Sequence, residues 1–164
     1  MIAKSLLAEL GIRNVFIGGP FFKIVDPETG TMPPHEVQLI EGLITHFENL
    51  GAAQIINAHK RERWGTAFME PPVYTKLDYE GVATSDLVVT MPGCRPPSLG
   101  SHIEIGWASA LGKPMVLLVE PDGEYSGMIQ GLHSVTPTVI VHLVNRQVDF
   151  AALDRAIVKV RQAA

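Results

Sequence analysis

The segment Ser98-Leu99-Gly100-Ser101-His102-Ile103-Glu104-Ile105-Gly106-Trp107-Ala108 gathers hydroxyls, small residues and a carboxylate at the start of a prospective helix. Ser101 and Glu104 have the spacing of a capping box, with the serine accepting from the early helix amides and the glutamate reaching back to the cap. A glutamate in the first turn also meets exposed amides and the positive end of the helix dipole, which favour an ionised carboxylate. Such a carboxylate is a nucleophile. Just upstream, Ser98 and Gly100 set a hydroxyl and a close-approach backbone beside the same amides, a cradle for a phosphate. Asp78, 26 residues ahead of Glu104, reads either as an exposed helix charge or as a second carboxylate at the same place. A carboxylate pair at the open end of a sheet can break a glycosidic bond: one attacks the anomeric carbon, and the other orients it or handles the leaving group's proton.

The elements that must position these groups are legible as short apolar runs. Asn14 to Gly18, Ala53 to Ile56, Asp86 to Met91, Pro114 to Val119 and Thr138 to His142 are rich in β-branched residues and read as five buried strands. Between the first two, Val37, Ile40, Leu43, Ile44 and Phe47 recur at helical steps across Pro33 to Leu50, with Gly51 as the stop. Further helices are expected over Tyr74 to Thr84, Ser101 to Leu111 and Phe150 to Val160. Strand alternating with helix implies an α/β fold with a parallel sheet covered on both faces and right-handed crossovers. Its binding site lies beyond the carboxyl ends of the strands. The loops there are Gly18-Gly19-Pro20-Phe21-Phe22, then Asn57-Ala58-His59 with Trp64-Gly65, then Pro92 to Gly100. Asp86, opening the third strand, reads as structural. No linker, repeat or low-complexity tract divides the 164 residues, so residues 1–164 are expected to form a single domain.

Several functions are excluded by what is missing. A net charge of −4 offers no general attraction to polyphosphate, which argues against nucleic-acid binding. The chain has no P-loop, no Gly-x-Gly-x-x-Gly after the first strand and no Gly-x-Ser-x-Gly elbow. The six histidines never fall at metal-ligand spacing, so no metal or other cofactor is expected. The single cysteine, Cys94, forms no disulfide framework, fits a reducing cytoplasm, and reads as incidental in its proline-rich loop. The apolar stretch after Lys4 is short and broken by Glu9, unlike a targeting signal, and no uncharged run is long enough to span a bilayer. The expectation is a cytoplasmic protein without membrane association.

On these residues the chain resembles the nucleoside 2-deoxyribosyltransferase superfamily. The similarity runs through VFIGG at 15 to 19, Asp78 followed by Ser85-Asp86-Leu87-Val88-Val89, and Ser98-x-Gly100-x-x-x-Glu104-x-Gly106-x-Ala108 with Gly112-Lys113-Pro114 behind it. It implies a flavodoxin-like, doubly wound, five-stranded parallel sheet. It also implies that Glu104 attacks C1′ to form a glycosyl-enzyme intermediate, and that Asp78 assists at the leaving base. Where the transferases carry an aspartate for a free 5′-hydroxyl, this chain has Ser98, which can donate to a phosphate. That resembles the branch hydrolysing nucleoside 5′-monophosphates. In that branch a serine from a neighbouring subunit reaches the phosphate, and Ser126 is similar in context, its alternative being a plain helix cap. The resemblance thus implies a homo-oligomer, a homodimer or larger, with shared active sites.

Phe16 stands where the family typically has a tyrosine near the sugar's 2′ position, which leaves room for a ribose hydroxyl. The segments around Gly19, Phe21, His59 and Trp64 look similar to cytidine 5′-monophosphate hydrolases of nucleoside-antibiotic pathways. Phe21 and Trp64 are then expected to stack on or wall the base, and His59 to contact base or sugar or else to be structural. Those hydrolases can carry an arginine directly after the phenylalanine, whereas here Phe22 and then Lys23 follow. The expected activity is release of free base and ribose 5-phosphate from a pyrimidine ribonucleotide such as CMP. Its rivals are a base-exchanging deoxyribosyltransferase and a non-catalytic nucleotide-binding module.

Overall fold

A computed structural model describes residues 6–93, 97–123 and 125–164. Cys94 lies outside them. In chain order the elements are α1 (Leu6–Glu9), β1 (Asn14–Gly18), α2 (Pro34–Asn49), β2 (Gln54–Asn57), α3 (Ala58–Arg61), α4 (Pro71–Thr84), β3 (Leu87–Thr90), α5 (Leu99–Ala110), β4 (Met115–Val119), α6 (Gly127–Gln130), β5 (Thr138–His142) and α7 (Phe150–Gln162). The five strands form one sheet in the order β2-β1-β3-β4-β5, every pair parallel. This is the flavodoxin-like order, whose topological switch falls between β1 and β3.

The period-2 alternation of the strands sorts their side chains into two cores. Val15 and Ile17 of β1 and Val89 of β3 join Ile40, Phe47, Leu153 and Ile157 under α2 and α7. Phe16 and Val88 point the other way, into a second core with Val82 of α4 and Ile105 and Ala108 of α5. One strand residue therefore decides the site: Phe16 is delivered to the face carrying α4 and α5, where Asp78 and Glu104 reside.

Both helices on that face start earlier than their apolar periodicity shows. α4 begins at Pro71, where prolines fill the first turn because their missing N–H groups would have no partner there. α5 begins at Leu99 with Ser98 as its cap. Asp86 accepts from the amides of Arg13 and Asn14, both at 2.9 Å, and so pins the start of β1 beside β3. No helix among the described residues is long and apolar enough to cross a membrane.

Candidate active site

A cavity of about 570 Å³ opens beyond the carboxyl ends of β1 and β3, within the range of roughly 300–1,000 Å³ usual for small-ligand sites. Of the residues expected there, Phe16, Gly19, Phe21, His59, Asp78, Ser98, Gly100 and Glu104 line it.

Glu104 is the sixth residue of α5, a turn deeper than its expected place. The Ser101–Glu104 capping box does not form. Ser98 Oγ accepts from the Ser101 amide at 3.3 Å and from the Ser101 hydroxyl at 2.9 Å, so the cap sits three residues earlier. Glu104 is thereby freed from the helix end and turned against the sheet. The residue keeps some surface where it lines the cavity, but its Oε2 is buried without a hydrogen-bond partner among the described residues, as is Thr90 Oγ1 beside it. Gly18 makes this approach possible: a Cβ there would lie 2.6 Å from Glu104 Oε2, 2.7 Å from Thr90 Oγ1 and 3.0 Å from Phe16 Cε1. Burial pushes the Glu104 carboxyl up to about 8, the charge of Asp78 adds to the rise, and Arg61 opposes it. The helix dipole was expected to hold this group ionised; lost hydration outweighs it, and the resting carboxyl is protonated at neutral pH.

Asp78 is buried in the middle of α4 and not an exposed helix charge. Its Oδ1 accepts from Arg61 Nη1 at 2.9 Å, while Arg61 Nη2 donates to Glu62 Oε1 at 2.9 Å. Burial lifts Asp78 above the usual carboxylate range despite the guanidinium, and Glu62 lifts it further. The charge of Asp78 reaches Glu104 and adds to the rise of its carboxyl, as expected of two carboxyls lining one cavity.

At the other side of the cavity stands the N-terminus of α5. The Ser98 hydroxyl oxygen accepts in both of its hydrogen bonds, which leaves its own proton to be given elsewhere. The amides of Leu99 and Gly100 have no acceptor among the described residues, and a Cβ on Gly100 would meet open space. All three donors belong to the first turn of α5, at the positive end of the helix, and their residues line the cavity.

Another part of the wall is aromatic. Phe21 packs against the His59 ring at 4.6 Å, and Phe22 stacks on Phe68 at 4.8 Å with Tyr74 tilted at 5.5 Å. His59 lines this wall with both ring nitrogens engaged. Nε2 donates to the Pro20 carbonyl at 2.9 Å, so Nδ1 must accept from Asn57 Nδ2 at 3.1 Å. Burial lowers its pKa to about 4, and the ring is neutral. It shapes the wall with no nitrogen spare for a ligand. Trp64 lies off the cavity: positive φ at Arg63 (49°) and Trp64 (58°) turns the indole against the core beneath α2. Ser126 is exposed, caps α6 through Met128 N at 3.2 Å, and lies outside its own chain's cavity.

The residues that sequence reasoning passed over are Gly18, Thr90, Tyr74, and the Arg61–Glu62 pair. Gly18 had a visible signal, a glycine doublet closing a strand. Arg61 had none, because its partner Asp78 is 17 residues away on another helix. No group of three or more His, Cys, Asp or Glu side chains among the described residues has metal-holding geometry.

No protein-family model and no curated protein sequence matches the chain. Solved structures do. The chain is 33% identical to the Clostridium botulinum CMP N-glycosidase BcmB, over 87% of this chain and 99% of that one, with a TM-score of 0.65. It is 42% identical to BlsM, over 92% of this chain and 93% of that one, with a TM-score of 0.79. A 2-deoxyribosyltransferase from Bacillus psychrosaccharolyticus, 18% identical over 85% of this chain and 95% of that one at a TM-score of 0.54, shares the fold. With its sheet order, its carboxylate pair at the switch point and 33% to 42% identity over most of both chains, the chain belongs to the family of the CMP N-glycosidase BcmB and BlsM.

Proposed function

We propose that the protein hydrolyses the N-glycosidic bond of a pyrimidine ribonucleoside 5′-monophosphate, with CMP the preferred substrate, giving free base and ribose 5-phosphate. The observation that carries this reading is that one cavity is lined by Glu104 and Asp78 and by the start of α5, where the Ser98 hydroxyl proton and the Leu99 and Gly100 amides have no acceptor among the described residues. A 5′-phosphate held by Ser98 and the Leu99 and Gly100 amides brings C1′ of the same nucleotide toward the carboxylates. The base then lies against Phe21, Phe22 and Tyr74, whose rings offer apolar faces for stacking. Phe16 presents a ring edge without a hydroxyl near Glu104, which leaves space for a ribose 2′-hydroxyl.

The resting proton of the carboxylate pair has a use in this mechanism. Moved from Glu104 to Asp78, it makes Glu104 the nucleophile and Asp78 the acid. Glu104 attacks C1′ through an oxocarbenium-like transition state as the C1′–N bond breaks, and the base departs with the proton from Asp78. Asp78, now ionised, draws a proton from water, which releases ribose 5-phosphate and restores the pair. The working unit is a homo-oligomer in which the partner subunit's Ser126 reaches the phosphate, consistent with its exposed position outside its own cavity.

The test is chromatographic detection of base and sugar phosphate with CMP, dCMP, UMP, AMP, GMP and cytidine. Cytosine released from CMP and not from cytidine is the expected result; release from none of them, with or without an acceptor base, overturns the reading. A second prediction isolates the phosphate cradle. Ser98→Asp keeps a good helix cap but faces the phosphate with a like charge, so KM for CMP is expected to rise by about 100-fold with little change in kcat. An unchanged KM would remove Ser98 from phosphate recognition.

A further inference from the structure

Arg61 closes the short helix α3, just past the carboxyl end of β2. Its guanidinium forks between two acids, giving one N–H to Asp78 Oδ1 and one to Glu62 Oε1, each at 2.9 Å. The Glu62 side chain is only 2% exposed and its other oxygen has just a long contact from the Met69 amide at 3.5 Å. Glu62 therefore anchors the guanidinium from behind. Arg61 is absent from the cavity wall, whereas Asp78 lines it, and no donor among the described residues reaches Asp78 Oδ2.

The charges around Asp78 do not balance without this residue. Glu62 and Glu104 face it along with Arg61, while His59 is a neutral ring committed to Pro20 and Asn57. Lys76 pairs with Glu80 at 3.8 Å on the exposed side of α4. Three acids are thus gathered around one cation. An unpaired buried carboxylate is strongly unfavourable, and a fork-shaped donor orients a carboxylate as a single point charge does not.

The geometry points to Arg61 as a positioning residue for the proposed hydrolysis: it pins one oxygen of Asp78, leaves the other to the reacting groups, and supplies the positive charge on which the Asp78–Glu104 pair depends. This rests on the N-glycosidase reading for its place in a reaction, though its electrostatic content does not. Arg61 touches no substrate, so its loss acts on kcat and leaves KM nearly unchanged. Burial already lifts both carboxyls, and the guanidinium is the opposing influence on each, so its removal moves both further up.

The experiment compares Arg61→Met and Arg61→Lys with the parent protein. In Arg61→Met, kcat for CMP is expected to fall by about 100-fold. The acid limb of the pH profile is expected to move up by about 1–3 pH units. Arg61→Lys, which keeps the charge and loses the fork, should return the limb most of the way while kcat stays depressed. Carbon-13 NMR titration of the Asp78 and Glu104 carboxyls reads the same shift without any turnover. A purely structural Arg61 would lower thermal stability and leave both midpoints and the limb in place, and that result overturns the proposal. Should Arg61→Met not fold, an unchanged kcat in Arg61→Lys overturns it equally. Absence of hydrolysis by the parent protein would sink the N-glycosidase reading alone, and the titration would still decide the electrostatic role.

Discussion

Glu104→Gln is expected to lower nucleotide turnover by about a thousandfold or more, since no other side chain replaces a lost nucleophile, while the protein becomes more stable at neutral pH. Both effects come from one atom. Oε2 lies buried against Thr90 and Phe16 with no donor to satisfy it, and ionising it there is unfavourable. The folded carboxyl holds its proton to about pH 8, against 4.5 for a free glutamate. Below pH 4.5 folded and unfolded chains are both protonated, and the contribution to stability is fully present. As pH rises from 4.5 the unfolded chain releases its proton while the folded chain keeps it, so stability falls until the pH passes 8 and then levels off. Glutamine has no proton to release. The variant's advantage in Tm over the parent should therefore grow across that window, as calorimetry at successive pH values would show. A gap that is constant with pH would mean the carboxyl is not held protonated, and unaltered turnover would remove Glu104 from the mechanism.

Gly18→Ala should be the most damaging change of a single hydrogen for a methyl in the site. Gly18 has ordinary extended backbone in β1, so the alanine strains no dihedral and acts only through its methyl group. That methyl would lie 2.6 Å from Glu104 Oε2 and 2.7 Å from Thr90 Oγ1. Thr90 and Phe16 are rooted in adjacent strands and fully buried, which leaves the end of the Glu104 side chain as the part that yields. Overpacking of this kind typically costs about 1–3 kcal/mol, and a nucleophile displaced by about 1 Å loses on the order of 100-fold in rate. Gly106→Ala is the control, because its Cβ meets open space on the exposed side of α5, away from the cavity, and its helix-interior position favours alanine by about 1 kcal/mol. Retention of full kcat by Gly18→Ala would show that the glutamate does not need its place against β1.

What the sequence made legible was governed by local rules. The β-branched runs at Asn14 to Gly18 and Thr138 to His142 coincide with β1 and β5 because a strand covered on both faces has few alternatives. Asp78 and Glu104 were expected together because parallel sheets place ligands beyond the carboxyl ends of their strands, and both line the cavity there. The start of α5 was misplaced because two serines three residues apart can each cap a helix. Tertiary structure chooses Ser98, whose amide donates to the Pro92 carbonyl at 2.8 Å. Trp64 pointed to base stacking through the resemblance of its segment, while two consecutive positive-φ residues set its half-buried ring against the core, a backbone choice that leaves no mark in composition. The Arg61 fork depends on the packing of α3 against α4, and no spacing rule reports a contact between separate helices.

The sheet order has a consequence for how this chain acquires activity. β1, though first in the sequence, is a central strand, and its neighbour β3 arrives far later: Asn14 and Asp86, which tie them together, are 72 residues apart. Loop-closure entropy must be met before that pairing stabilises anything, so the step that brings Gly18 against Thr90 is among the slow ones in folding. During synthesis Phe16 and Gly18 emerge long before Glu104, and the far edge of β3 stays uncovered until β4 follows. The pocket around Glu104 is thus completed only when the middle of the sheet closes, and recovery of the proposed activity in a refolding experiment is expected to report the docking of β3, later than any signal from the helices.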